Sequence, residues 1–247
     1  MDATWLFRAG DSGLIVDPWL VGSEIDGFRW FNEQWHATPP VPPEKVEGYT
    51  AVAVSQSYTD HCHRPTLEAL RPVPLLATPK AAARLAKELP GRELTVLPNA
   101  VDGGWHSLGA LEVAYLDPGR RMDPVYYGLI IRDGDQAAGY FPHGFTLTPA
   151  QLSALDGLSF DAVVTSFSLF QLPSFLGGAV NPGIEAGIRL VEQLGPRHVF
   201  QTHDEQKHGR GLVKRIARTI YPPADTLSRR TGGRFVDLDA SYQPFEL

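Results

Sequence analysis

Three short segments of this 247-residue sequence bring histidine together with acidic and hydroxyl side chains. They are Ser55-Gln56-Ser57-Tyr58-Thr59-Asp60-His61-Cys62-His63, Tyr140-Phe141-Pro142-His143-Gly144 and Gln201-Thr202-His203-Asp204. Asp60, His61, His143 and His203 offer one carboxylate and three imidazoles. That donor set suits a single divalent metal, Zn²⁺ first and Mn²⁺ or Fe²⁺ as alternatives, with a position left for water. A cation held this way lowers the pKa of its water toward ~7 and polarises an acceptor oxygen, which is hydrolytic chemistry. Asp60 could take the proton, or His143 if it is not a ligand. The plainer reading of Asp60-His61 is a loop carboxylate orienting a histidine without metal. His143, between Pro142 and Gly144, reads equally as a hydrogen-bonded turn residue. His63 is a lesser candidate ligand or proton shuttle, because it diverges from His61 if a helix has already begun at Pro65. Asp204 reads as exposed, since adjacent side chains diverge. Asp17 reads as a carboxylate that bonds loop backbone, and Cys62 as packed inward.

The elements that must position these groups are short, because 21 Pro and 24 Gly punctuate the chain. Thr4 to Phe7 and Leu14 to Val16, separated by Gly10-Asp11-Ser12-Gly13, predict a hairpin. Asp17 to Pro43 has no clean period and holds Trp19, Phe28, Trp30, Phe31 and Trp35, which predicts a long aromatic loop that either lines a pocket or covers the core. Strands are predicted at 51–54, 73–77, 93–97, 111–116, 126–132, 136–141, 162–164, 198–200 and 234–238. Helices are predicted at 65–70, 79–88, 149–155, 184–194 and 212–221. Each histidine segment then follows a strand, and in α/β sheets ligands collect beyond the carboxyl ends of strands. The alternation predicts one layered α/β domain over residues 1–247, with sheets inside and helices outside.

Composition narrows the classes. Hydrophobic residues make up 43% and charged residues 20%, as in an ordinary globular protein. No apolar run approaches the ~18 residues of a membrane helix, and no basic-then-apolar start is present, so a cytoplasmic, membrane-free protein is expected. The single cysteine fits a reducing compartment. A net charge of -6 and the lack of a basic stripe argue against nucleic acid and for a small-molecule substrate. Oligomeric state is left open.

The strand Leu14–Val16 running into Asp17-Pro18-Trp19, then the strand Ala51–Val54 opening a loop with Asp60-His61, resembles the metallo-β-lactamase superfamily, in its lactonase-like hydrolase branch. The resemblance spans about Thr4 to Leu212. It implies a four-layer αββα sandwich with a hydrolytic site of one or two metals at the sheet edges. The motif departs from the family's H-x-H-x-D-H: Gln56 and Tyr58 stand where the first two histidines would be, and Asp60 and His61 remain. No histidine stands near Leu116-Asp117-Pro118-Gly119, His143 stands where a bridging aspartate is expected, and His203 matches the last histidine. In the family the missing residues make one metal site and the retained ones the other. The resemblance thus implies a hydrolase with a single metal held by Asp60, His61 and His203, with His143 as fourth ligand, acting on an ester, lactone or phosphoester. The alternative is a catalytically silent ligand-binding protein of the same fold.

Overall fold

The structure, a computed structural model, describes residues 3–118, 127–204, 207–238 and 243–247. From the amino terminus, β1 (Trp5–Ala9) turns at Gly10-Asp11 into β2 (Ser12–Val16). A small hairpin follows, β3 (Glu24–Asp26) and β4 (Asn32–His36). Then come β5 (Ala51–Val54), α1 (Arg64–Ala69), β6 (Leu75–Ala77), α2 (Pro79–Glu88) and β7 (Leu94–Val96). The next stretch is a meander of β8 (His106–Leu108), β9 (Leu111–Leu116), β10 (Gly128–Asp133) and β11 (Gln136–Phe141). After it follow α3 (Pro149–Ala154), β12 (Ser159–Thr165), β13 (Leu169–Gln171), β14 (Ala179–Pro182), α4 (Ile184–Leu194) and β15 (His198–Gln201). The last elements are β16 (Lys207–Arg210), α5 (Leu212–Ile216), β17 (Arg218–Ile220) and α6 (Ala224–Arg230).

Two large sheets result, ordered β1-β2-β5-β6-β7 and β15-β12-β11-β10-β9-β8. Strand periodicity of two assigns each residue to a layer. Leu14, Val16 and Ala53 from the first sheet meet Leu129, Ile131, Tyr140 and Val164 from the second in the central core. Their neighbours Ile15, Val52 and Val54 face the other way, toward Leu67 of α1 and Leu85 of α2. On the far side, Ile130 and Val163 pack against Leu190 of α4. Helix, sheet, sheet, helix is the expected four-layer α/β sandwich.

Three local expectations fail, each because a distant partner overrides a local pattern. Residues 17–43 are not a structureless loop: β4 pairs antiparallel with β3 and with β16, so that Glu33 sits opposite Arg210. The basic helix predicted over 212–221 stops at Ile216, and Arg218–Ile220 instead pairs with β13. The strand expected at 234–238 shrinks to one bridge between Phe235 and Val199. Pro74 stands just before β6, which lies inside the sheet between β5 and β7. The expected strand 126–132 is observed as Gly128–Asp133, and Tyr126 lies outside the described residues.

The β2–β5 seam that leads to Asp17 is close. Thr50 donates its N–H to the Gly13 carbonyl at 2.7 Å, and a Cβ added at Gly13 would overlap the Gly48 carbonyl oxygen. That contact is with backbone, so relief requires the chain itself to shift. Gly13→Ala should therefore lose about 2–3 kcal/mol of stability, read as a lowered urea midpoint at unchanged slope.

Candidate active site

The chain leaves β2 through Asp17, whose backbone takes a left-handed φ of 46°. This aims its carboxylate across the top of the central core. Oδ1 accepts the Ser55 N–H at 2.6 Å, and Oδ2 accepts the Ser55 hydroxyl. Oδ2 also lies 2.8 Å from the Tyr140 hydroxyl and 2.7 Å from His61 Nδ1. Asp17, Ser55, His61 and Tyr140 are all fully buried. An anion sealed from water persists only when donors surround it, and these donors come from both sheets. Asp17 thus bonds loop backbone as expected, and it also fixes His61.

His61 Nε2 lies 2.9 Å from His143 Nε2 and 3.2 Å from His203 Nε2. Donor atoms of the three residues all fall within 4.8 Å of one another. His61 follows β5, His143 follows β11 and His203 follows β15, so the three strand-end loops meet here. His143 Nδ1 donates to Asn181 Oδ1 at 2.7 Å, and Asn181 Nδ2 donates to Ser168 Oγ at 3.1 Å. His203 has φ 60°, a left-handed conformation that costs a non-glycine residue about 1–2 kcal/mol. Asp204 anchors that turn: its carboxylate accepts from Ser166 Oγ at 2.6 Å, Phe167 N at 2.8 Å and Ser168 N at 3.1 Å. The expectation that Asp204 is exposed is corrected, because a neighbouring loop offers it three donors.

These anchors decide the tautomers. A carboxylate oxygen and an amide oxygen can only accept, so the Nδ1 atoms of His61 and His143 carry the protons. Each Nε2 is then the nitrogen left to bind a cation, and the two face each other at 2.9 Å. Burial, followed by the charges of His203 and His61, holds the His143 pKa well below the ordinary imidazole value. These two nitrogens with a third imidazole nitrogen beside them form a donor set for a cation. The separations of 2.9 and 3.2 Å are close to the ~3.3 Å edge of a tetrahedron with Zn–N of about 2.0–2.1 Å. The oriented Nδ1 hydrogen bonds are the outer support that metal-binding imidazoles require.

Asp60 stands beside this triad. Its Oδ2 is 3.2 Å from His203 Nε2 and its Oδ1 is 3.9 Å from His61 Nε2. Burial pushes its pKa up, but the charge of His61, the hydrogen bond and charge of His203, and Lys207 overcome it. The carboxyl ends well below the usual range. His63 does not join. It precedes α1, where its Nδ1 is 2.9 Å from Thr66 Oγ1, its Nε2 is 3.4 Å from the Ser23 carbonyl and its ring packs against Trp19. The helix that opens at Arg64 turns it away from His61. Gln56 is buried and donates to the Tyr127 carbonyl at 2.9 Å, while Tyr58 is partly exposed at the site. Cys62 is buried in the core, where desolvation pushes its thiol up to about 12. The His36 ring packs tilted against Trp19, and His208 lies in β16 against Trp35.

The sequence reading missed the other wall of the site. A cavity of about 750 Å³ is bordered by Asp60, His143 and His203 and also by Glu24, Asp26 and Asn32. Thr59 Oγ1 lies 2.8 Å from Glu24 Oε2 and 2.9 Å from Asp26 Oδ1. One hydroxyl has one proton, so one of the two carboxyls must be protonated and donate in return. Burial, then the charges of Asp60 and Asp26, raise Glu24 to about 9, and burial with Asp60 raises Asp26 as well. Glu24 therefore keeps its proton at neutral pH, and burial favours the protonated form of Asp26 as well. The only signal in the sequence was Glu24-x-Asp26, a strand alternation hidden in an aromatic stretch. Of the aromatics there, Phe31 borders the cavity while Trp30 lines a separate groove with Arg29 and Arg210.

Two consequences are measurable. Asp17→Ala should lose about 3–5 kcal/mol in urea unfolding, since it strands buried donors from both sheets. For Glu24 the folded value lies above the unfolded 4.5, so its stabilisation is complete below pH 4.5 and is lost as pH rises toward about 9. Glu24→Gln cannot ionise. Its stability relative to wild type should therefore climb between pH 5 and pH 9, by at most about 1.4 kcal/mol per unit. A constant offset at both pH values would contradict a Glu24 that keeps its proton.

No protein-family model and no curated protein matches the sequence. Solved structures do. The isothiocyanate hydrolase from Delia radicum gut bacteria superposes with a TM-score of 0.66 at 17% identity, over 95% of this chain and 93% of its own. A variant of the CmlA β-hydroxylase gives 0.64 at 15% identity over 95% of this chain, which spans 50% of the length of that enzyme. YhfI from Bacillus subtilis, a metallo-β-lactamase fold protein, gives 0.56 at 14% identity over 94% of this chain and 85% of its own. At such identities the likeness speaks for architecture alone, and on architecture it is consistent from end to end: this chain has the metallo-β-lactamase fold.

Proposed function

We propose that this protein is a metal-dependent hydrolase of small molecules, acting on an ester, lactone or phosphoester. The observation that carries the reading is the convergence of His61, His143 and His203 Nε2 atoms, two of them with Nδ1 protons fixed by Asp17 and Asn181. These three imidazoles would hold one divalent cation, Zn²⁺ first and Mn²⁺ or Fe²⁺ as alternatives, with Asp60 at its side. Such a cation supplies Lewis acidity, acidifying water and polarising the acceptor oxygen of a substrate.

The chain's own groups then divide the proton work. Asp60, kept ionised, is the acceptor for a proton leaving water, and His143 as a ligand is relieved of that role. Glu24, the protonated partner of Asp26 in the same cavity, is the donor available to a leaving group. The fold neighbours include an isothiocyanate hydrolase and a β-hydroxylase, so the architecture alone does not choose the reaction. The cavity and the net charge of -6 support a small-molecule substrate in preference to nucleic acid. No described helix is long and apolar enough to cross a membrane, and a cytoplasmic location is part of the same proposal.

A silent ligand-binding role is the second reading, favoured by Gln56 and Tyr58 at positions where the family carries histidines. One experiment separates the two. Elemental analysis of protein purified without chelator or metal-affinity resin should find about one equivalent of Zn, Mn or Fe, falling near zero in His203→Ala. Metal content unchanged in that variant would overturn the site, and no uptake even from excess Zn²⁺ or Mn²⁺ would leave the binding role.

A further inference from the structure

We propose that the groove beside Trp30 is a second ligand site, built for a planar aromatic ring that carries a phosphate group. The groove encloses about 540 Å³ and is lined by Arg29, Trp30, Arg210, Gly211, Leu212 and Arg215. Small-molecule sites span roughly 300–1,000 Å³. It is separate from the cavity at the histidines. Leu212 and Val213 donate their N–H groups to the Trp30 and Phe31 carbonyls at 3.0 and 2.9 Å. Trp30 and Leu212 of that seam line the groove, whereas Phe31 and Val213 border the cavity. Gly211 has φ 102°, and a Cβ added there would stand 2.7 Å from the Phe31 carbonyl oxygen. Close backbone contact therefore holds the floor of the groove.

The groove is cationic in a chain of net charge -6. Glu33 answers its arginines: Oε2 accepts from Arg210 Nε at 2.5 Å, and Oε1 lies 3.8 Å from Arg29 Nε. Arg215 is exposed and has no ion-pair or hydrogen-bond partner among the described residues. Three guanidiniums thus face one carboxylate. Guanidinium forks hold phosphate through paired N–H donors, and the bond to Glu33 fixes the Arg210 fork in advance. The aromatic half follows from Trp30. Its ring is 67% exposed, lies 6.0 Å from the Phe28 ring within 10° of parallel, and belongs to none of the packed cores. An indole face supported in this way offers stacking to a planar ligand, with the gain of covering exposed apolar surface. A neutral ring would leave the arginines unanswered, and a bare phosphate would leave the indole in water. One molecule that carries both groups satisfies the groove.

The probe is naphthylmethylphosphonate, whose P–C bond resists hydrolysis, titrated calorimetrically into the purified protein. It should bind at least tenfold more tightly than naphthylmethanol and than inorganic phosphate, the margin of one charge-assisted hydrogen bond or one stacked ring. Arg215→Gln and, independently, Trp30→Ala should each weaken it about tenfold. Both side chains are exposed, so neither change opens a core. His203→Ala should keep this binding, because the histidine centre lies on the far side of the Phe31–Val213 seam. Binding lost in His203→Ala and kept in Arg215→Gln would put the phosphonate at the histidines and overturn the proposal. Naphthylmethanol or inorganic phosphate bound as tightly as the phosphonate would overturn it too, as would a wild type with no saturable binding.

Discussion

The Asp17 carboxylate is sealed from solvent, and it can remain an anion there only because Ser55, His61 and Tyr140 bring donors to it. Those donors arrive from the end of β5, the loop beyond it and β11, so both large sheets must face each other before the charge is satisfied. Everything at the site inherits that requirement. His61 is oriented by Asp17, His143 meets His61, and His203 completes the group from β15. A second tier ties the far side: Asp204 binds the Ser166–Ser168 turn, Ser168 accepts from Asn181, and Asn181 accepts from His143. Two polar networks, one from each sheet, thus meet at a pair of imidazole nitrogens. Such networks fix geometry well when complete and are expensive when broken.

Much of this was legible in the sequence because its signals are local. Proline at Pro65 marked α1, the pattern over 79–88 marked α2, and extended segments over 111–116 and 136–141 marked β9 and β11. Histidines directly after strands gave three of the site residues. What stayed hidden depends on partners far away in sequence. β4 is a strand because β16 lies beside it, and nothing between Asp17 and Pro43 announces that. Asn181 and Asp204 look like ordinary loop residues until the β12–β13 turn is folded against them. His63, the lesser candidate, precedes a helix that begins one residue later, the case in which it was expected to diverge from His61.

The site is also lopsided in a way that separates fold from chemistry. Gln56 and Tyr58 stand where the resemblance led one to expect histidines. Gln56 turns its amide to the Tyr127 carbonyl, and its Oε1 is buried without a partner among the described residues. That side of the centre is spanned by hydrogen bonding, while the other keeps its imidazoles. Buried carboxyls and apolar side chains border the same cavity. The fold supplies the meeting point of three loops, and these particular side chains decide what can be done there.

The pairing of β4 with β16 carries a consequence for how the molecule is made. It brings Arg210 to Glu33 across 177 positions of the chain. A ribosome adding about 5–20 residues per second needs on the order of ten seconds or more to cover that distance. By the end of that interval every strand of both large sheets has been synthesised. β4 therefore waits for β16 after most of its surroundings are in place, so this pairing is a finishing step of biosynthesis and no part of the initial collapse.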